Sequence, residues 1–495
     1  MVKKRADIFA GLFLFCTVIL VGALFVTGVL KNKEYSQKVA SQRTVSLEVK
    51  NRRGKLYDRN MIPMVEKKVS GLRIGDVSFK NTDGKEMMIS TRYSDSSACH
   101  LIGYTDYSGR GVCGLEKTFD VYMSTPVYER INAIRGADGS IIETAGFERE
   151  NPEEEGDSVV LTIDSHIQKI CSKALSDAKV TGAVVVMDVS SFDVLAMASS
   201  PNYNQGDVSG YMKSQGGELV NRCVSPYNAG SIFKIVTICS AMENKALMPI
   251  YVCRGKTEIG EHEFNCHNRE GHGVINPAEA LAMSCNCSFY TMGTHIGAER
   301  ILSEANKFGF GEKIICCHEF DENPGNLPRK KRYSLVDNIN YAIGQGEILL
   351  TPLQVANMVS IIAGGGKAKK ANVATKVIDY KGNIKRVLRE VGSRQIVSKK
   401  TADFVGRAMR LAVMEGTASG LKDNPAKIAG KTGTAETGWT ENGKNMVHGW
   451  FCGFFPYDNP RYAMAVLVEN GGSGSMSAVP IFGKIAEEII KFYPI

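Results

Sequence analysis

Hydrophobic and polar positions along the chain fall into three regimes. From Ile8 to Leu30 the run is apolar and uncharged. At about 23 residues it is long enough to span a bilayer as a helix. Lys3, Lys4 and Arg5 precede it. A cleaved leader has a shorter apolar stretch ending in a small-x-small site. Ala23-Leu24-Phe25 offers none, so an uncleaved anchor is expected. Lys31, Lys33, Lys38 and Arg43 make the other flank basic too, so charge alone leaves the orientation open.

In the second regime, residues 31–50 are polar with scattered Val, Ala and Leu, which predicts a helical stalk. Short strand-like runs and turn signals mix from 51 to 150, and the polar stretch 151–157 reads as a linker. Beyond it the pattern is regular. Residues 159–164 predict a strand leading into a helix over 165–179. The β-branched runs 182–189 and 192–198 predict a hairpin turning on Ser190-Ser191. Residues 449–455 and 462–468 predict two more strands. Ile481, Ile485, Ile489 and Ile490 give 479–492 a helical period. Strands at both ends of a segment with a helical middle imply one α+β domain whose sheet is completed by distant parts of the chain.

Composition adds limits. A length of 495 residues predicts two or three domains. With 43% apolar and 23% charged residues the chain is globular. Its 60 basic and 52 acidic residues leave +8, a mild excess that is no nucleic-acid footprint. Thirteen cysteines, one inside the anchor, do not form a disulfide scaffold at this size and do not settle the compartment.

Three motifs carry chemistry. In Gly230-Ser231-Ile232-Phe233-Lys234, Gly230 can turn the chain into a helix that Ser231 opens. Ser231 and Lys234 then share one helical face. A lysine among Ile235, Val236, Ile238 and Cys239 loses hydration, which lowers its pKa and suits it to act as a base toward the serine. In Ser284-Cys285-Asn286 the outer two residues can face a cleft while Cys285 faces inward. In Gly430-Lys431-Thr432-Gly433-Thr434, Gly433 permits close approach to the backbone, and Lys431 and Thr434 offer a cation and a hydroxyl. Gly-Lys-Thr is not a nucleotide P-loop here, because Pro425 stands where that motif needs glycine.

In this order, Ser231-x-x-Lys234, Ser284-x-Asn286 and Lys431-Thr432-Gly433 resemble the three signatures of penicillin-recognising serine enzymes. The flanks are similar as well. Gly344-Gln345-Gly346 resembles the Gly-Gln-Gly segment of penicillin-binding transpeptidases. Glu415-Gly416-Thr417-Ala418 and His448-x-Trp450-Phe451-x-Gly453-Phe454 resemble the elements on either side of their Lys-Thr-Gly strand. Arg53-Gly54-Lys55-Leu56-Tyr57-Asp58-Arg59-Asn60 and Gly114-Leu115-Glu116-Lys117 resemble landmarks of the class B, monofunctional branch.

That resemblance implies a penicillin-binding transpeptidase fold, an antiparallel sheet flanked by helices as in serine β-lactamases. It implies a tail and anchor over 1–30, a stalk and small class B pedestal over 31–156, and the transpeptidase domain over 157–495. It implies a single-pass protein of the plasma membrane with its catalytic domain outside the cytoplasm. The activity implied is D,D-transpeptidation of peptidoglycan stem peptides, blocked by β-lactams that acylate Ser231, with no metal or organic cofactor. Lys234 would be the base, Ser284 would pass a proton to the leaving group, and Asn286 would position Lys234 and substrate. Lys431, Thr432, Gly433 and Thr434 would bind substrate. A glycosyltransferase of the shape, elongation, division and sporulation group would be its partner. A β-lactamase and a non-catalytic β-lactam sensor or scaffold are the alternatives within the superfamily. Separately, Cys253, Cys266, His267 and His272 form a cluster that suits a loop-stapling role, by disulfide or as reduced thiols, better than a metal.

Overall fold

The computed structural model describes residues 2–50, 53–65, 73–74, 77–78, 92–93, 95–106, 109–124, 128–136, 142, 147–150, 156–317, 319–389, 392–441 and 443–494. The predicted linker thus lies, for residues 151–155, outside the described residues. The chain forms two compact units. One comprises Met1–Arg52, Val69–Ser90 and Thr125–Glu155. The other comprises Arg53–Lys68, Thr91–Ser124 and Gly156–Ile495.

The first unit begins with a helix, α1 (Val2–Phe25), which widens into a π turn over Val26–Leu30. Its 28 residues from Lys3 to Leu30 would reach about 42 Å at the helical rise, beyond the ~30 Å of a hydrocarbon core. Phe9 and Phe13 are 73% and 77% exposed, an apolar surface that water does not tolerate and a lipid phase does. The following helix runs only over Asn32–Arg43. Thr44–Lys50 is a strand paired antiparallel with Tyr128–Ile134. The predicted helical stalk therefore stops short of 50, because Val45, Leu47 and Val49 alternate with a period of two.

The second unit is built on a five-stranded antiparallel sheet. Its strands are β1 (Gly182–Asp188), β2 (Val194–Ser200), β3 (Ala429–Glu441), β4 (Lys444–Phe455) and β5 (Tyr462–Val468), in the order β2-β1-β5-β4-β3. The β1–β2 hairpin turns where Asp188 Oδ1 accepts from the N–H groups of Ser190 and Ser191. Alternate residues of β1 enter two different cores. Val184 and Val186 join Leu175 of α2 (Ser165–Ala178) and Ile481, Phe482 and Ile485 of α8 (Gly474–Phe492). Ala183, Val185 and Met187 join the core on the other face. There lie α3 (Lys234–Glu243), α4 (Pro277–Ala282), α5 (Asn286–Ile296), α6 (Pro352–Ala363) and α7 (Lys399–Met414). Both faces are covered, so β5 is buried from end to end and β1 as far as Met187.

A second sheet joins Leu56–Tyr57 in parallel to Ser158–Leu161. Nearby, Glu116 is fully buried and accepts from Arg53 Nε at 2.7 Å and from Arg92 Nε. Arg53 also donates to Asp120, to Ser124 Oγ and to the Glu116 carbonyl. Each guanidinium thus enters the interior with its charge met.

Candidate active site

The turn that carries Ser231 exists because two glycines meet there. Gly230 has φ +56, and a Cβ on it would lie 2.5 Å from the Thr434 carbonyl oxygen. A Cβ on Gly344, at φ +74, would lie 2.2 Å from the Gly230 carbonyl oxygen. Only glycine fits at either position. Gly230 N–H donates to Gly344 O at 3.0 Å. Ser231 then sits in a tight 3₁₀ turn, Gly230–Phe233, that runs straight into α3. In a 3₁₀ turn residues three apart eclipse, so Ser231 and Lys234 point the same way. Ile232 and Phe233 are fully buried and hold the turn down.

Lys234 is fully buried. Its Nζ donates to Ser284 O at 2.8 Å, Asn286 Oδ1 at 2.6 Å and Ser284 Oγ at 3.2 Å. The Phe289 ring lies 5.4 Å away. Burial pulls its pKa down to about 8. The acceptors come from the turn between α4 and α5. A capping box between Asn276 and Glu279 starts α4, with Pro277 in its first turn. Ser284 has φ +57, which reverses the chain, and Asn286 opens α5. Cys285 between them is fully buried.

The facing wall is β3, the edge strand of the sheet. A Cβ on Gly433 would come within 2.8 Å of Ile232 Cγ2, so glycine lets β3 lie against the serine turn. Thr432 Oγ1 is 2.6 Å from Thr417 Oγ1. Lys431 is fully buried, and its Nζ donates to Thr432 O at 2.8 Å. Burial, with Lys234 nearby, holds its pKa well below the ordinary lysine value.

A cleft of about 680 Å³ opens between these walls. Of the residues predicted from sequence, Ser231, Ser284, Asn286, Thr432 and Thr434 line it. Lys234 and Lys431 lie fully buried. The cleft adds residues to which the motifs gave no role, among them Tyr290, Glu436 and Ser473. Tyr290 is four residues past Asn286 on α5 and Glu436 two past Thr434 on β3, so their periods could have found them. Ser473, at the start of α8, becomes visible only once the chain is folded. A hydroxyl, an amine of depressed pKa, a second hydroxyl and a strand edge can together support acyl transfer without a cofactor.

The chain is 28% identical over 418 residues to stage V sporulation protein D of Bacillus subtilis, covering 79% of this chain and 62% of that protein. It is 29% identical over 418 residues to peptidoglycan D,D-transpeptidase MrdA of Acinetobacter baumannii, covering 75% and 60%. The chain thus spans about three-fifths of the length of these relatives. Its fold is that of penicillin-binding protein 3 from Mycobacterium tuberculosis, with a TM-score of 0.71, 24% identity, and coverage of 91% of this chain and 98% of that one. Residues 182–487, from the first strand of the central sheet to its last helix, match the penicillin binding protein transpeptidase domain, and the chain belongs to that family.

Proposed function

We propose that the chain is a class B, monofunctional peptidoglycan D,D-transpeptidase whose nucleophile is Ser231. One observation carries the reading: Ser231 lines one cleft with Ser284, Asn286, Thr432 and Thr434, while buried Lys234 bonds to Ser284 and Asn286. Relatives named peptidoglycan D,D-transpeptidase support it, as does a mycobacterial structure of this fold complexed with ampicillin.

An ammonium has three N–H donors, and Lys234 has three acceptors. A neutral amine keeps two donors, enough for Ser284 O and Asn286 Oδ1, and frees a lone pair. That lone pair takes the Ser231 proton as Oγ attacks the carbonyl between the two terminal D-alanines of a donor stem peptide. The N–H groups of Ser231 and Thr434 receive the oxyanion. When the C–N bond breaks, the proton passes from Lys234 through the Ser284 hydroxyl to the departing D-alanine. An amine of a neighbouring stem peptide then attacks the Ser231 ester. The ester C–O bond breaks, and the amine's proton returns to Ser231 Oγ. Thr432 and Thr434 hold the substrate carboxylate, backed by Lys431, whose Nζ donates to the Thr432 carbonyl.

With α1 in the plasma membrane, the catalytic unit works outside the cytoplasm and beside the glycan strands. A glycosyltransferase of the shape, elongation, division and sporulation group supplies those strands. A relative of this fold comes from a peptidoglycan synthase complex that coordinates polymerization and crosslinking, which favours such a partner. Fluorescent penicillin followed by washing tests the reading. A stable label that Ser231→Ala abolishes is expected. Rapid loss of label would make the chain a β-lactamase, and no label at all a scaffold.

A further inference from the structure

Residues 251–275 form two short ribbons with almost no core of their own. Tyr251–Cys253 pairs with Gly273–Ile275, and Lys256–Ile259 pairs with His262–Asn265. Val252 and Val274 are 51% and 69% exposed. From Val252 to Val274 the only buried apolar side chains are Cys253 and Cys266. An isolated two-stranded ribbon is at best marginally stable, and small elements without a core rely on a metal, a disulfide or a neighbour. None of the thirteen cysteines is in a disulfide.

The donors converge instead. Sγ of Cys253, Cys266 and Cys285 and a ring nitrogen of His272 all lie within 4.8 Å of one another. Cys266 Sγ is 3.9 Å from Cys285 Sγ and 3.6 Å from His272 Nδ1. Zn–S and Zn–N bonds in a tetrahedron set ligand atoms roughly 3.8 Å apart for two sulfurs and roughly 3.6 Å for sulfur and nitrogen. We propose that Cys253, Cys266, His272 and Cys285 bind one zinc ion. Three thiolates and an imidazole select zinc over magnesium or calcium, which prefer oxygen. Binding releases the three thiol protons and takes His272 as neutral imidazole.

Sequence spacing had grouped His267 with this cluster and turned away from a metal. The fold places His267 in the lining of the cleft, and Cys285 supplies the fourth donor from another part of the chain. Cys287 is outside the set of four, with its Sγ 3.9 Å from Phe264 O.

Cys285 connects the metal to the cleft, because it is the middle residue of Ser284-Cys285-Asn286. Ser284 has φ +57, an uncommon conformation for serine that its surroundings must maintain. A metal bond to Cys285 holds that turn from the interior side. Ser284 and Asn286 then stay on Lys234, and the ribbon stays at the mouth of the cleft. This consequence rests on the acyl-transfer reading, whereas the metal site stands without it.

The test uses the full chain, purified in detergent under reducing conditions without added metal. Elemental analysis should find about one zinc per chain. His272→Ala and Cys253→Ser should lose most of it, and Cys287→Ser should keep it. Replacement by cobalt(II) should give thiolate-to-cobalt charge-transfer bands and the d–d bands of a tetrahedral site. This optical readout stays informative if a cysteine variant folds poorly. Chelation of the wild type should lower Tm and slow penicillin acylation at least about tenfold, and added zinc should restore both. Wild-type protein without zinc that still takes penicillin would overturn the site and leave the enzyme reading standing. So would zinc that His272→Ala and Cys253→Ser both retain. Stoichiometric zinc without any penicillin label would keep the site and remove its catalytic consequence.

Discussion

Lys234 concentrates the chemistry of the proposed site in one buried amine. Its depressed pKa of about 8 follows from burial, and a lone pair is the property the reaction requires of it. Arginine would keep the charge and much of the hydrogen bonding but cannot give up a proton. Lys234→Arg should therefore slow penicillin acylation by roughly 10²–10⁴-fold with little change in Tm. Stopped-flow measurement of acylation checks this, and a rate close to wild type would remove Lys234 as the base. At this scale the sequence was legible where partners are close along the chain. Ser231 with Lys234, and Thr432 with Thr434, follow from helical and strand periods. Cys285 was not legible as a metal donor. It lies inside a motif read for its neighbours, and only the fold brings it to Cys253.

Among the elements, the short helix Cys99–Ile102 shows how one neutral side chain ties distant segments together. His100 is 6% exposed, and its Nε2 lies 2.6 Å from Glu218 O, so Nε2–H donates and Nδ1 faces Cys99 Sγ. Burial lowers its pKa to about 4. The unfolded chain, with an ordinary histidine, binds more protons between about pH 6.5 and 4. The contribution of His100 is thus present above 6.5 and is lost as pH falls toward 4. Between pH 7 and 4 the wild type should lose about 3 kcal/mol more stability than His100→Gln. Urea denaturation at the two pH values measures the difference, and equal losses would refute it. Element patterns were legible wherever burial was one-sided or complete. The β1–β2 hairpin and the Ile-spaced α8 show this, with α8 starting earlier, at Gly474, than its isoleucines do. Pairing of Leu56 with Val159 left no local mark, because strand partners so far apart are chosen by packing.

For the whole molecule, a long apolar helix and a sheet-centred unit suit the proposed transpeptidation at a membrane surface. The family match over 182–487 covers the whole sheet and the helices from α3 to most of α8, while α2 precedes it. The central claim is that this unit transfers an acyl group through Ser231, and product analysis tests it most directly. The full chain would be given a donor ending in D-Ala-D-Ala and a D-amino acid as acceptor, with mass spectrometry of both protein and products. The account predicts an acyl group on the peptide containing Ser231, minus one D-alanine, and a product in which the acceptor has replaced that D-alanine. An acyl group on another residue, or a donor that is only hydrolysed whatever the acceptor concentration, would contradict it.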